Sequence, residues 1–158
     1  MRYAIANTSY RNLVTTLLVR LLDKNYVVRG SAANALGNLG NNSETVINAL
    51  LAGLQDDKSY VRGSAANALG NLGNNSETVI NALLAGHHDE YPPVRRNATE
   101  ALAQLGKTSN HVLPTVIEWI EQQQDSEYVG SGIDALWDLV VGREWGIGNR
   151  ESGIGNRE

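Results

Sequence analysis

The feature that most restricts this chain is a repeat within its own sequence. Residues 28–53 read VRGSAANALGNLGNNSETVINALLAG, and residues 61–86 reproduce them at all 26 positions, 33 residues further on. A third copy follows at the same offset in diverged form. Val28, Val61 and Val94 align, as do Arg29, Arg62 and Arg95. Ala32, Ala65 and Ala98 continue the column, then Leu36, Leu69 and Leu102, then Leu39, Leu72 and Leu105, and Gly40, Gly73 and Gly106 close each segment. A fourth, weaker copy is marked by Ala135 and Leu136, 34 residues after Ala101 and Leu102. A period of this length means that one supersecondary unit is used several times, so the fold follows from what a single unit can bury.

Each unit reads as two helices. Val61, Ala65, Ala68, Leu69 and Leu72 recur at intervals that place them on one helical face. Gly73 stands where a helix C-terminus takes a left-handed residue. Asn74, Asn75 and Ser76 offer N-cap oxygens to the next helix, and Glu77 suits its positive end. That helix carries the stripe Val79, Ile80, Leu83 and Leu84, and in the third unit Pro114 falls near its start, where a missing N–H costs little. A helix pair of this size cannot bury its own apolar face, but stacked neighbours can. The expected fold class is therefore all-α, an α-solenoid of stacked helix pairs. With aromatics at 6% and no Phe, its core must be built from Leu, Val, Ile and Ala.

The period sets the organisation. Residues 1–8 read as the truncated start of a repeat, and 9–141 as the array, with units at about 9–23, 24–56, 57–89, 90–124 and 125–141. Residues 142–158 read as a disordered tail, in which WGIGNRE and then SGIGNRE repeat a Gly-rich heptad. Leu13, Val14, Leu17, Leu18 and Leu21 align with Val46, Ile47, Leu50, Leu51 and Leu54, so 9–22 reads as the second helix of an earlier unit. Solenoids need polar end caps. A Leu-rich helix without one leaves an apolar patch, which points to self-association through that helix or to a longer array.

Charge supplies a second periodic feature. Asp23, Asp56 and Asp89 each stand six residues before Arg29, Arg62 and Arg95. The two columns agree in number and phase, so each Arg is expected to pair with Asp carboxylates and loop carbonyls and join repeat to repeat, in preference to binding an outside anion. The net charge of −4 gives no basic footprint for nucleic acid. The absence of Cys removes disulfides, thiolate metal sites and a Cys nucleophile together. No apolar run approaches the roughly 18 residues of a membrane span, and a cytoplasmic location is expected.

The pattern D-x(5)-R, then A-x-x-A-L-G-x-L-G, then an aliphatic helix resembles HEAT repeats, most closely the HEAT-like repeats of phycobilisome lyases, over residues 9–140 or so. The resemblance implies a helical scaffold that binds protein partners, without a cofactor or a catalytic site. It implies as an alternative a lyase-like subunit involved in bilin attachment. The di-iron deoxyhypusine hydroxylases share the repeat but use paired His-Glu motifs, and no His-Glu dipeptide occurs here. The resemblance also implies that second helices line the concave face. Their polar positions Thr45, Asn48, Thr78, Asn81, Thr115 and Glu118, with Trp119 and Gln122, then form the candidate protein-binding stripe. Trp119 takes priority within it, because Trp is enriched at the energetic centres of interfaces.

Other motifs carry less. His87-His88-Asp89-Glu90 contains metal-ligating types. Yet His87 occupies the column of Leu54 and Asp89 that of Asp56, and adjacent residues on a short loop rarely converge on one ion. No nucleophile elbow G-x-S-x-G and no phosphate loop G-x(4)-G-K-[ST] is present.

Overall fold

The computed structural model describes the backbone of residues 2–122 and Trp137, and the side chains of residues 8–121 and Trp137. Among these residues there are seven α-helices and no strand: α1 (Arg2–Arg20), α2 (Tyr26–Leu39), α3 (Glu44–Gly53), α4 (Ser59–Leu72), α5 (Glu77–Gly86), α6 (Pro92–Thr108) and α7 (Val112–Gln122). The unit expected at 125–141 (Trp137 apart) and the tail at 142–158 lie outside the described residues.

The helices form two layers. Helices α2, α4 and α6 stack directly on one another in one layer, and α1, α3, α5 and α7 form the other. Each of α1, α3 and α5 packs more extensively on the helix that follows it than α3 or α5 does on the helix before. The closer packing between layers is thus that of α3 on α4 and of α5 on α6.

The core is the aliphatic ladder. Leu36, Leu69 and Leu102 from one layer meet Val46, Leu50, Val79, Leu83 and Leu84 from the other, all essentially fully buried. At roughly 1.5–3 kcal/mol for each such side chain, this seam dominates stability.

Local signals explain the helix ends. Gly40 and Gly73 sit at φ 68° and 67°, the left-handed conformation that a Cβ disfavours, and they stop α2 and α4. Gly106, the third member of the column, does not stop α6, which runs on to Thr108. Gly40 and Gly73 are each followed by Asn-Asn-Ser, whereas Gly106 is followed by Lys107 and Thr108, which continue the helix, and the Thr108 hydroxyl donates to the Leu105 carbonyl. The starts of α3 and α5 also differ from expectation. Ser43 and Ser76 occupy the N-cap without a side-chain cap bond. Instead Asn41 and Asn74 accept from the Ser43 and Ser76 N–H through their side-chain oxygens, forming turns that aim the chain into each helix. At the N-terminus α1 is one helix from Arg2, with no break near residue 8.

Candidate interaction surfaces

The Asp and Arg columns meet at the turns between units. Arg29 donates from Nε and Nη2 to both carboxylate oxygens of Asp56, each at 2.7 Å. Arg62 repeats the fork on Asp89 at 2.6 and 2.8 Å. Each carboxylate therefore comes from 27 residues downstream. The Asp six residues upstream gives its backbone carbonyl: Asp23 to Arg29, Asp56 to Arg62 and Asp89 to Arg95, at 2.8–2.9 Å. One guanidinium thus spans two turns. Tyr91 lies against Arg62, with the guanidinium carbon 5.5 Å from the ring centroid. The bidentate fork holds the Arg29 and Arg62 pKa values above the usual range. The hydrogen bond from Arg29 lowers Asp56 below the usual carboxylate range. Burial would raise Asp89, but the bond from Arg62, the Tyr91 N–H and the Arg62 charge together bring it below that range. A cleft of about 390 Å³ opens beside this chain of ions, lined by Gln55, Asp56, Arg62, Ala85, Asp89 and Glu90 among others.

The stripe expected on the second helices divides. Thr45 and Asn48 on α3, Thr78 and Asn81 on α5 and Glu118 on α7 are exposed. Thr115 is buried at 5%, and its hydroxyl donates to the His111 carbonyl. It lies with Val46 and Val79 on the inward face, not with Thr45 and Thr78, so it leaves the candidate stripe. The cause is a change of register, since α6 is 17 residues long where α4 has 14, which shifts the alignment of α7. Trp119 moves for the same reason. It is half-buried against the core and stacks on His88, with ring centroids 5.5 Å apart and planes inclined at 21°. It joins α7 to the end of α5. The side chain of Gln122 lies outside the described residues.

The four residues at 87–90 point apart. His87 Nδ1 lies 2.6 Å from the Thr99 hydroxyl, His88 stacks on Trp119, Asp89 holds Arg62, and Glu90 is exposed. No group of three or more metal-ligating residues converges among the described residues, and no helix among them is long and apolar enough to cross a membrane.

A surface that sequence reasoning missed lies on the other layer. Helices α2, α4 and α6 approach so closely that a Cβ on Gly37 would stand 2.6 Å from Ala68 Cα, and one on Gly70 2.8 Å from Ala101 Cα. Their sides facing away from the second layer carry Asn34, Asn67 and Glu100, then Asn38, Asn71 and Gln104, in rows at the repeat period. Within these rows Asn34 donates to the Ser64 hydroxyl at 3.1 Å and Asn67 to Asn34 at 3.4 Å. Tyr26, Tyr60 and Tyr91 stand exposed along the edge where these helices begin, Tyr26 and Tyr60 edge to face at 6.2 Å. The signal was present in the sequence, because Ser31, Asn34 and Asn38 recur at helical spacing opposite Leu36. The same spacing marks any solvated helix face, so it does not by itself distinguish a binding surface.

The family model for HEAT repeats matches residues 3–70 and 47–137, nearly the whole array. No curated protein sequence matches significantly. Among solved structures, the chain is similar to the complex of CpcE and CpcF of phycocyanin lyase from Nostoc sp. PCC7120, with a TM-score of 0.59 at 21% identity, covering 81% of this chain and 55% of that one. It is similar to an engineered protein (TM-score 0.54, 19% identity, 80% and 62% covered) and to a designed armadillo repeat protein (TM-score 0.51, 21% identity, 78% and 63% covered). The chain thus spans less than two thirds of each, and at these identities the likeness is one of fold. With the matched repeats covering most of its length, the two helical layers and the Asp–Arg turns in place, this chain belongs to the HEAT repeat family.

Proposed function

We propose that the chain is a non-catalytic interaction scaffold that binds an extended polypeptide segment across the exposed side of α2, α4 and α6. The observation that carries this reading is the continuity of that side: Asn34 bonds Ser64 and Asn67 bonds Asn34, so polar groups of successive units form one surface. Helices α3 and α5 stand further apart, and their exposed Thr and Asn form separate patches. A stack with one layer more closely spaced than the other bends toward the closer layer. The concave side is then that of α2, α4 and α6, the reverse of the assignment to second helices. A carboxamide offers a donor and an acceptor together, which suits the peptide group, and the edge tyrosines add rigid contact area at small entropic cost. These rows are nearly neutral, which suits main-chain recognition better than phosphate.

The test is a peptide-display selection against the full chain. Binders are expected to lose at least about tenfold in affinity, or about 1.4 kcal/mol, on joint Asn67→Ala and Asn71→Ala replacement. They should be indifferent to Thr45→Ala with Thr78→Ala. The opposite pattern would return the binding face to α3 and α5. A contribution to bilin attachment, the second reading, has the fold likeness to the phycocyanin lyase complex behind it. Uptake of a linear tetrapyrrole, seen as visible absorbance carried by the protein, would favour it.

A further inference from the structure

The outward side of α2, α4 and α6 carries more than amides. At about 100° per residue, Tyr60, Asn67 and Asn71 of α4 lie within about 20° of one line along the helix, and the buried Leu69 lies about 180° away. The position of Tyr60 is Val27 on α2 and Pro93 on α6, at the same offset of 33 that relates the Asn rows. Val27, Tyr60 and Pro93, all exposed, therefore form a third row across the three helices, parallel to the Asn rows and nearer the helix starts. Two more tyrosines widen it into a band. Tyr26 packs edge to face on Tyr60 with ring centroids 6.2 Å apart, and the exposed Tyr91 is the N-cap residue of α6. Exposed apolar side chains bordered by polar groups are the form of a surface that receives apolar side chains.

The rings of the band are held before anything binds. Tyr60 lies over α2 where Gly30 has no side chain: a Cβ there would stand 2.4 Å from the Tyr60 Cε1. Tyr91 lies on the Arg62 guanidinium, which the Asp89 fork fixes in turn. Each ring is thus anchored on one side and, at 46% and 47% exposure, open on the other. A rigid ring loses little freedom when a second apolar group covers it.

The band supplies a choice of sequence that the Asn rows cannot make. Carboxamides meet the N–H and C=O of any main chain. Charge selects nothing either, because Glu100 pairs with Arg96 at 3.2 Å and the other members of those rows are neutral. Successive side chains of an extended segment point to opposite sides. A segment lying across the helices over the Asn rows therefore turns alternate side chains toward the helix starts and the band. The side chains between them point toward the polar Asn-Asn-Ser loops, where Asn74 donates to Asn42 at 3.0 Å. Resting on the reading that these rows hold an extended polypeptide, we infer that the segment preferred is one with aliphatic or aromatic side chains at every second position and small polar ones between, its apolar flank seated on Val27, Tyr60 and Pro93.

The experiment uses the full chain and two fluorescent peptides of identical composition, flanked by lysines for solubility. One alternates Leu or Val with Ser or Thr, and the other gathers its apolar residues in a single block. By anisotropy the alternating peptide is expected to bind at least about tenfold more tightly than the block peptide. Tyr60→Ser and, independently, Val27→Ser should abolish that preference, and Tyr60→Phe should keep it. Val27→Ser changes only an exposed side chain, so it decides the matter even if removing Tyr60 from Gly30 loosens the fold. Joint Asn67→Ala and Asn71→Ala replacement should weaken both peptides alike. Equal binding of the two peptides by the parent chain, a preference that neither Ser variant moves, or failure of both peptides to bind would overturn the alternating pattern. The scaffold reading survives any of these if binders from the display selection still depend on Asn67 and Asn71. Tight binding of both peptides that the Asn replacement leaves unchanged would remove the scaffold reading and this inference together.

Discussion

At the scale of single residues, the arginines and glycines divide the labour. Arg62 bonds both oxygens of Asp89 and the carbonyl of Asp56, with about 12% of its side chain exposed. Hydrogen bonds to charged groups contribute about 1.5–3 kcal/mol each when shielded from water, so Arg62→Ala should cost about 2 kcal/mol in chemical denaturation. An unchanged midpoint would remove the ion chain from the account of stability. The lowered Asp56 and Asp89 also set a pH window. A carboxylate held below its ordinary pKa of 3.8 stabilises the fold above that value, and the contribution disappears as pH falls through the lowered one. Melting temperature should therefore decline as pH drops below about 4, and the gap between the parent and Asp89→Asn should narrow over the same interval. Two glycines separate steric from conformational cost. Gly37→Ala drives a Cβ into the Ala68 backbone and should cost about 1–3 kcal/mol. Gly40→Ala meets nothing within 4 Å and should cost about 1 kcal/mol, for its positive φ alone.

At the scale of elements, helix register decided what sequence alignment could not. Matching Thr115 to Thr78 by residue type puts it on the exposed stripe, but the longer α6 turns Thr115 inward and brings Trp119 onto His88. Trp119 then ties α7 to α5, and Trp119→Ala should lower stability by about 2 kcal/mol, below the 3–5 of a fully buried Trp, because the side chain is only partly buried. Thermal melts of the variant without any partner check this; an unchanged melt with reduced peptide binding would restore Trp119 to the recognition surface. Helix ends were more legible. The left-handed glycines at 40 and 73 were readable from the sequence because each is followed by Asn-Asn-Ser. The failure of Gly106 to stop its helix lies in the different residues that follow it.

At the scale of the whole molecule, stability is a sum of neighbour terms, so position in the stack matters as much as composition. Among the described residues, helix α4 has α2 on one side, α6 on the other and α3 across the layers, whereas α1 has only α2 as an extensive neighbour. Amide hydrogen exchange should be slowest in α4 and faster in α2, although 12 consecutive residues of the two helices are identical. Equal rates would mean that the array opens as one block.

The sequence by itself determined the helical class, the 33-residue period, the aliphatic ladder and the matched phase of the Asp and Arg columns, because each is a matter of spacing along one chain. It could not decide which oxygen of which aspartate each arginine would meet, or which layer would be the closer one. Those depend on the distance between helices, which is set where a missing Cβ on Gly37 or Gly70 lets one backbone rest on the next. The same distance brings the Asn rows of neighbouring units into one surface, a relation between chain segments that no single stretch of sequence contains.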